Sequence, residues 1–123
     1  MENWNILVVE DDPDGQEVVG RILRHHRIHQ DTVGHADDAW ELLQSNDYTA
    51  VIIDLHLPDI DGWTLFNNIK ADPNLADIPC IAVTAFHSAE VAFKAVQDGF
   101  VAYFPKPLEA TSFVRELNNL LQN

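Results

Sequence analysis

The sequence predicts an α/β domain, a parallel sheet with helices on both faces, built from five βα units in succession. Three observations carry this prediction. The runs Asn5–Glu10, Ala50–Asp54 and Pro79–Ala85 are continuously apolar rather than alternating, the pattern of strands buried on both faces. Segments with apolar residues at helical spacing separate these runs. The connections between them are too short for anything but crossovers, which join parallel neighbours.

The elements follow in order. "NILVVE" (Asn5–Glu10) is the first buried strand. Asp12 can cap a helix and Pro13 suits its first position, so a helix runs from there to about His26 with Val18, Val19, Ile22 and Leu23 inward. "IHQDTV" (Ile28–Val33) is a polar, weak strand suited to a sheet edge. Ala36 to about Ser45 is helical, with Ala39, Leu42 and Leu43 inward. "AVIID" (Ala50–Asp54) is the second strongly buried strand. Asp61-Gly62 marks a loop, with Asp59 and Asp61 expected as turn formers. A helix then runs from Trp63 to about Ala71 over Leu65, Phe66 and Ile69, closed by Asp72-Pro73. "PCIAVTA" (Pro79–Ala85) is the third buried strand. Ser88 to about Gln97 is an Ala-rich helix stopped at Asp98-Gly99. "VAYF" (Val101–Phe104) is the last strand, and a stiff Pro105-Lys106-Pro107 turn leads to a closing helix, Leu108–Leu121. Its inward residues are Phe113, Val114, Leu117, Leu120 and Leu121.

A chain of 123 residues with 46% hydrophobic content suits one domain with one core, and residues 1–123 show no linker, repeat or low-complexity tract. No apolar run approaches the roughly 20 residues of a membrane span, and "MENWN" lacks the features of a signal peptide. A cytoplasmic protein is expected. The lone Cys80 cannot form an internal disulfide and reads as a small apolar strand residue. Net charge is −13, from 20 acidic against 7 basic residues. Such a surface repels phosphate backbones and anionic lipid, so neither nucleic acid nor membrane is an expected partner.

"VIIDLHLPDIDGW" (Val51–Trp63) poses a chemical question. Its apolar run ends on Asp54, a carboxylate without a cationic neighbour in sequence, and burying an unpaired charge is costly. In an open doubly wound sheet the site lies outside the carboxyl ends of the strands. Those ends supply Glu10 and Asp11, then Asp54, Thr84 and Lys106. Three carboxylates together raise one another's pKa, and a divalent cation relieves the repulsion. All-oxygen ligands with several waters suit Mg²⁺, or Mn²⁺ in its place. Asp54 could then attack phosphorus, giving an aspartyl phosphate. Phosphoryl transfer needs its spreading charge neutralised, with Lys106 and the Thr84 hydroxyl placed to help the metal.

The acidic pair after the first strand, the aspartate in "DLHLPDIDG", Thr84-Ala85 after the fourth strand and Lys106-Pro107 after the fifth resemble a bacterial two-component response-regulator receiver domain. The likeness covers essentially the whole chain. It implies a flavodoxin-like fold with strand order 2-1-3-4-5, in a stand-alone, chemotaxis-type receiver or one excised from a longer protein. By this resemblance Asp54 takes a phosphoryl group from a sensor histidine kinase or a histidine phosphotransfer protein. Asp11 and Asp54 would ligate Mg²⁺ directly, Glu10 through water, and the His56 backbone carbonyl would complete the protein ligands. The Lys106–Pro107 bond is expected to be cis. Thr84 and Tyr103 would form the switch, with the hydroxyl moving inward and vacating space for the ring. The output surface would be the fourth helix, fifth strand and fifth helix, with His87, Ala92, Tyr103, Pro105, Leu108, Ser112 and Glu116 as candidate contacts for an unknown downstream protein. Such a domain promotes its own phosphorylation and dephosphorylation without being a turnover enzyme.

Some residues depart from the common pattern of that family. Glu10 stands where Asp is commoner. His56, two residues after Asp54, could tune how water reaches the phosphoryl group, and Phe86, two after Thr84, could slow hydrolysis by covering the site. Pro105 should stiffen the last turn. "HHRIH" (His25–His29) reads as side chains at a helix end, since His25 and His29 lack a clear third metal ligand. Trp4 and Trp40 read as packing residues, and Trp63 as a fluorescent reporter beside the site. Other functions fit less well. A flavin-phosphate binder would need a Gly- and hydroxyl-rich first loop where this chain has "EDDPDG", and the P-loop pattern is missing. A flavodoxin-fold interaction module that signals without phosphorylation remains as the alternative.

Overall fold

The computed structural model describes residues 3–57 and 61–122. Strands and helices alternate along the chain as β1 Asn5–Val9, α1 Pro13–His25, β2 His29–Val33, α2 Ala36–Ser45, β3 Ala50–Asp54, α3 Gly62–Ala71, β4 Cys80–Thr84, α4 Ala89–Asp98, β5 Ala102–Pro105 and α5 Ala110–Leu121. The strands form one parallel sheet in the order β2-β1-β3-β4-β5. This is the flavodoxin-like topology, and the sequence expectation for the fold holds.

The continuous apolar runs divide between the two faces by the two-residue period of a strand. Leu7, Val9, Val51, Ile53, Cys80 and Ala82 face α2, α3 and α4, where Ala39, Leu43, Leu65, Phe66, Ile69 and Ala95 meet them. Ile6, Val8, Ala50, Ile52, Ile81 and Val83 face α1 and α5, against Val19, Leu23, Phe113 and Leu117. Full burial of each large side chain contributes roughly 1.5–3 kcal/mol. The polar strand β2 lies at the sheet edge, as its composition predicts, and pairs only with β1. Trp4 and Trp40 pack at the margins of the two cores.

Side-chain caps explain most boundary differences. The Asp12 carboxylate accepts the Asp14 N–H at 3.3 Å, with Pro13 in the first helical turn. The Ser88 hydroxyl accepts the Val91 N–H, so α4 begins one residue later than predicted. The Glu109 carboxylate accepts from the Thr111 and Ser112 N–H groups, so α5 starts at Ala110 rather than Leu108. These bonds hold the Glu109 carboxyl below its usual range. Asp61 caps α3 through the Thr64 N–H at 2.8 Å, while Asp59 lies outside the described residues. Gly99 ends α4 in the left-handed region, φ 119°, where a side chain is disfavoured.

One predicted core residue is corrected. Val18 is 41% exposed; Val19 and Leu23 carry the buried stripe of α1. Adjacent helical residues point about 100° apart, and Val18 turns towards the cleft beside the β5–α5 turn.

The strand register fixes where the site forms. Val9 pairs with Ile53, Asp54 with Val83, and Thr84 with Pro105. The carboxyl ends of β1, β3, β4 and β5 therefore lie level at one rim of the sheet.

Candidate functional site

Glu10 follows the end of β1, where its N–H donates to the Val33 carbonyl at 2.9 Å. Its side chain is only 1% exposed. One carboxylate oxygen is ion-paired with Lys106 Nζ, and the other accepts the Asp12 N–H at 3.2 Å. Asp54 closes β3 and is 5% exposed. Its Oδ1 accepts the His56 N–H at 2.9 Å and its Oδ2 accepts from Lys106 Nζ at 3.1 Å. Lys106 thus bridges two buried acids contributed by different strands. The cost of burying Asp54 is met by a cation distant in sequence rather than a neighbour.

Ligand oxygens of Glu10, Asp11 and Asp54 lie within 4.8 Å of one another. Burial, followed by its hydrogen bond to Asp54, raises the Glu10 pKa to about 7, against a smaller lowering by Lys106. For Lys106, burial works to lower the pKa, but the hydrogen bonds to Glu10 and Asp54 and the charges of both outweigh it and raise the pKa. The cluster is short of positive charge. Its all-oxygen donor set and closeness fit a hard divalent cation such as Mg²⁺. Asp11 is exposed and gives the group an opening to solvent.

Thr84 ends β4 with 1% exposure, and its hydroxyl oxygen accepts the Phe86 N–H at 3.0 Å. Its carbonyl accepts the Lys106 N–H at 2.8 Å, tying the lysine's backbone to β4. The Lys106–Pro107 peptide bond is cis. The His56 ring lies 4.4 Å from the Phe86 ring, centroid to centroid. Tyr103, half-buried in β5, has its hydroxyl 2.9 Å from His87 Nδ1. A cavity of about 310 Å³ opens beside Lys106, with Gly15, Val18, Pro107 and Leu108 in its wall.

This geometry coincides with a known family. The chain matches the response regulator receiver domain over residues 6–118. It is a receiver domain. Chemotaxis protein CheY-3 of Vibrio cholerae is 29% identical, the alignment covering 98% of this chain and 94% of that protein. Arabidopsis thaliana two-component response regulator ARR2 is 32% identical over 98% of this chain but only 18% of that much longer protein. Among solved structures, a response regulator from Chloroflexus aurantiacus superposes with a TM-score of 0.92 at 26% identity, covering 98% of both chains. The receiver domain of a sensor histidine kinase from Pseudomonas aeruginosa, described with magnesium coordinated in its active-site cleft, gives a TM-score of 0.88 at 28% identity over 98% of both chains. Two-component signalling is therefore the system to which this receiver domain belongs.

The receiver brings Glu10, Asp11, Asp54 and Lys106 together at one rim, with Thr84 and Phe86 on the adjoining strand end. Tyr103 stands apart, joined to the β4–α4 loop through His87. Trp63 makes its ring contacts with Phe100 and Lys94, not with the acids. His25 packs edge-on against His26, and His29 faces Asp31 at 3.8 Å; the grouping of potential metal ligands among the described residues is the Glu10 cluster. Sequence reasoning missed two features. Phe93 and Val96 are large exposed apolar residues on α4, and the Ala-rich pattern of that helix offered no reason to single them out. Gly15 and Gly62 press against the backs of the site residues, which only the folded arrangement reveals. No helix among the described residues is long and apolar enough to cross a membrane.

Proposed function

We propose that this receiver domain accepts a phosphoryl group on Asp54 in a Mg²⁺-dependent reaction and presents an altered α4-β5-α5 surface to a protein partner. The observation that carries the reading is Lys106 Nζ bridging Glu10 and Asp54 at the rim where Asp11 and Thr84 also end. Asp11 and Asp54 would hold Mg²⁺ directly, Glu10 through water, with the His56 backbone carbonyl completing the protein ligands. The cation would supply positive charge to the three acids and to an incoming phosphoryl oxygen.

The chain's own groups account for the rest. One Asp54 oxygen attacks phosphorus, and the bond from phosphorus to the donor's leaving atom breaks, its electron pair departing with the donor. A phosphohistidine on a sensor kinase or histidine phosphotransfer protein is the fitting donor. Lys106, already 3.1 Å from Asp54 Oδ2, offers its ammonium to the charge that develops on the transferred oxygens. The Thr84 hydroxyl can donate to another once it turns from its present bond with the Phe86 N–H. That turn would vacate space beside β5 for the Tyr103 ring, releasing it from His87. Phe93 and Val96 give the neighbouring α4 face apolar area for a partner to cover. Turnover of an external substrate is not part of this role, and the acidity of the chain disfavours nucleic acid as the direct target. We place the domain across residues 1–123 and its work in the cytoplasm.

The test is incubation with acetyl phosphate and Mg²⁺ followed by intact-protein mass spectrometry. One acid-stable, alkali-labile phosphoryl adduct is expected, lost in Asp54→Asn and on chelation of the metal. An unmodified wild-type mass would leave the interaction-module alternative in possession.

A further inference from the structure

Glu10 carries one methylene more than an aspartate, and its carboxyl must go somewhere. It extends over the first turn of α1, at Gly15. A Cβ built on Gly15 would lie 2.6 Å from Glu10 Oε1, 2.7 Å from Cδ and 3.1 Å from Cγ. Real Cβ contacts essentially never fall below 3.0 Å. Three successive side-chain atoms are involved, so rotation of a free tip cannot relieve the overlap. The Glu10 carboxyl is also held by Lys106 Nζ and the Asp12 N–H, and its side chain is nearly inaccessible, so there is little room to retreat. Glycine is a poor residue for the interior of a helix, and α1 runs on to His25. Nothing about local helix formation calls for glycine at this position.

We propose that Gly15 is a positioning residue of the acidic site: the side chain it lacks is the space that lets a glutamate at position 10 reach Lys106 and stand beside Asp11 and Asp54. Position 15 and position 10 form a matched pair. A shorter acid at position 10 would draw its carboxyl back by about one carbon–carbon bond, roughly 1.5 Å, and would tolerate a methyl at position 15. In its consequence for cation binding the inference rests on the proposed Mg²⁺ site, but the steric pairing stands apart from it.

The test is a double-mutant cycle on the full chain with Gly15→Ala, Glu10→Asp and the double variant. Mg²⁺ affinity is read by titration calorimetry, and thermal midpoints are read in EDTA. Gly15→Ala is expected to weaken Mg²⁺ binding about fivefold or more when position 10 is glutamate, the size of coupling typical of residues in contact. Introduced into the Glu10→Asp variant, the same substitution should leave affinity unchanged. Without metal it should lower the midpoint of the wild-type chain and raise that of the Glu10→Asp variant, because relief of the overlap leaves the helix preference for alanine. Failure of Gly15→Ala to fold while the double variant folds would be the same result in stronger form. Equal effects of Gly15→Ala in both backgrounds, or none in either, overturn the proposal. If no variant binds Mg²⁺ yet the midpoints change sign as stated, the steric pairing holds and the metal reading is what fails.

Discussion

Lys106 Nζ lies 3.1 Å from Asp54 Oδ2, across 52 residues of chain, and pairs at the same time with Glu10. One ammonium therefore serves two buried carboxylates. Neither acid has another cation within ion-pairing distance among the described residues. Removal of the lysine leaves both unpaired in a poorly solvated place, which costs far more than loss of a surface pair. Lys106→Met is expected to lower the stability of the metal-free protein at pH 8 by about 2 kcal/mol, a value reduced because the Lys106 side chain is 20% exposed. Urea denaturation of the two proteins measures it. An unchanged midpoint would mean that the two acids are held by something other than this lysine.

The Glu10 pKa near 7 gives the metal-free protein an unusual pH response. A carboxyl raised in the folded state binds its proton more tightly there than in the unfolded chain. Its contribution is fully present below the unfolded value of 4.5 and is lost as pH rises through about 7. Stability in EDTA should thus fall between about pH 5 and pH 8 by up to about 3 kcal/mol. Lys106, raised above its ordinary value, keeps its own contribution throughout that window and loses it only in stronger alkali. Glu10→Gln should flatten the profile. Added Mg²⁺ competes with the proton for the same carboxylates, so it should stabilise more at pH 8 than at pH 5.5. Urea midpoints at the two pH values, with and without the metal, decide it.

Gly62 begins α3 directly behind the end of β3. A Cβ there would meet the Asp54 carbonyl oxygen, Leu55 Cα at 2.8 Å and Ile53 Cγ2 at 2.9 Å. Two of these three atoms are backbone, at the last residue of β3 and the one after it, where the Leu55 N–H is tied to the Val83 carbonyl, and cannot swing aside. Gly62→Ala should therefore destabilise by about 1–3 kcal/mol through overpacking, despite alanine's better helix propensity. A chemical-denaturation midpoint equal to wild type would contradict this.

Phe86 is 66% exposed yet packs against His56 beside the Asp54 carboxylate. Under the proposed phosphorylation of Asp54, whose Oδ1 accepts the His56 N–H, these two rings would screen the adduct from water. Phe86→Ala is expected to shorten the lifetime of the adduct about threefold, equivalent to roughly 0.7 kcal/mol off the hydrolysis barrier. Decay of the phosphorylated mass after removal of the donor gives the lifetime. Decay no faster than wild type would deny Phe86 a shielding role.

Tyr103 is anchored by its hydroxyl to His87 and half-buried in β5. Tyr103→Ala removes the ring from the proposed output surface without touching the acids. Adduct formation should match wild type, while capture of partners by the phosphorylated protein should fall towards the level of the untreated one. Undiminished capture would place the readout elsewhere.

Much of this was legible before the fold was seen. The three apolar runs, the Asp12-Pro13 helix start, the helix expected from Trp63 and the Asp98-Gly99 stop lie within one or two residues of the observed elements. Such signals are local: they follow from strand pleat, helix pitch and the needs of a helix end. Glu10, Asp11, Asp54, Thr84 and Lys106 could be named because a parallel sheet puts all strand ends of one kind at one rim. The exposure of Val18 was misjudged because one helical step separates the buried Val19 from an exposed position.

By itself the sequence determined which segments become strands and helices, and which polar residues reach the carboxyl rim, since backbone periodicity and caps act over a few residues. Only the tertiary structure decided that Lys106 divides itself between Glu10 and Asp54, that Gly15 and Gly62 must stay bare, and that Tyr103 leans on His87. Those outcomes depend on the register of β1, β3, β4 and β5 and on ångström-scale distances between residues up to 96 positions apart, which no local pattern encodes.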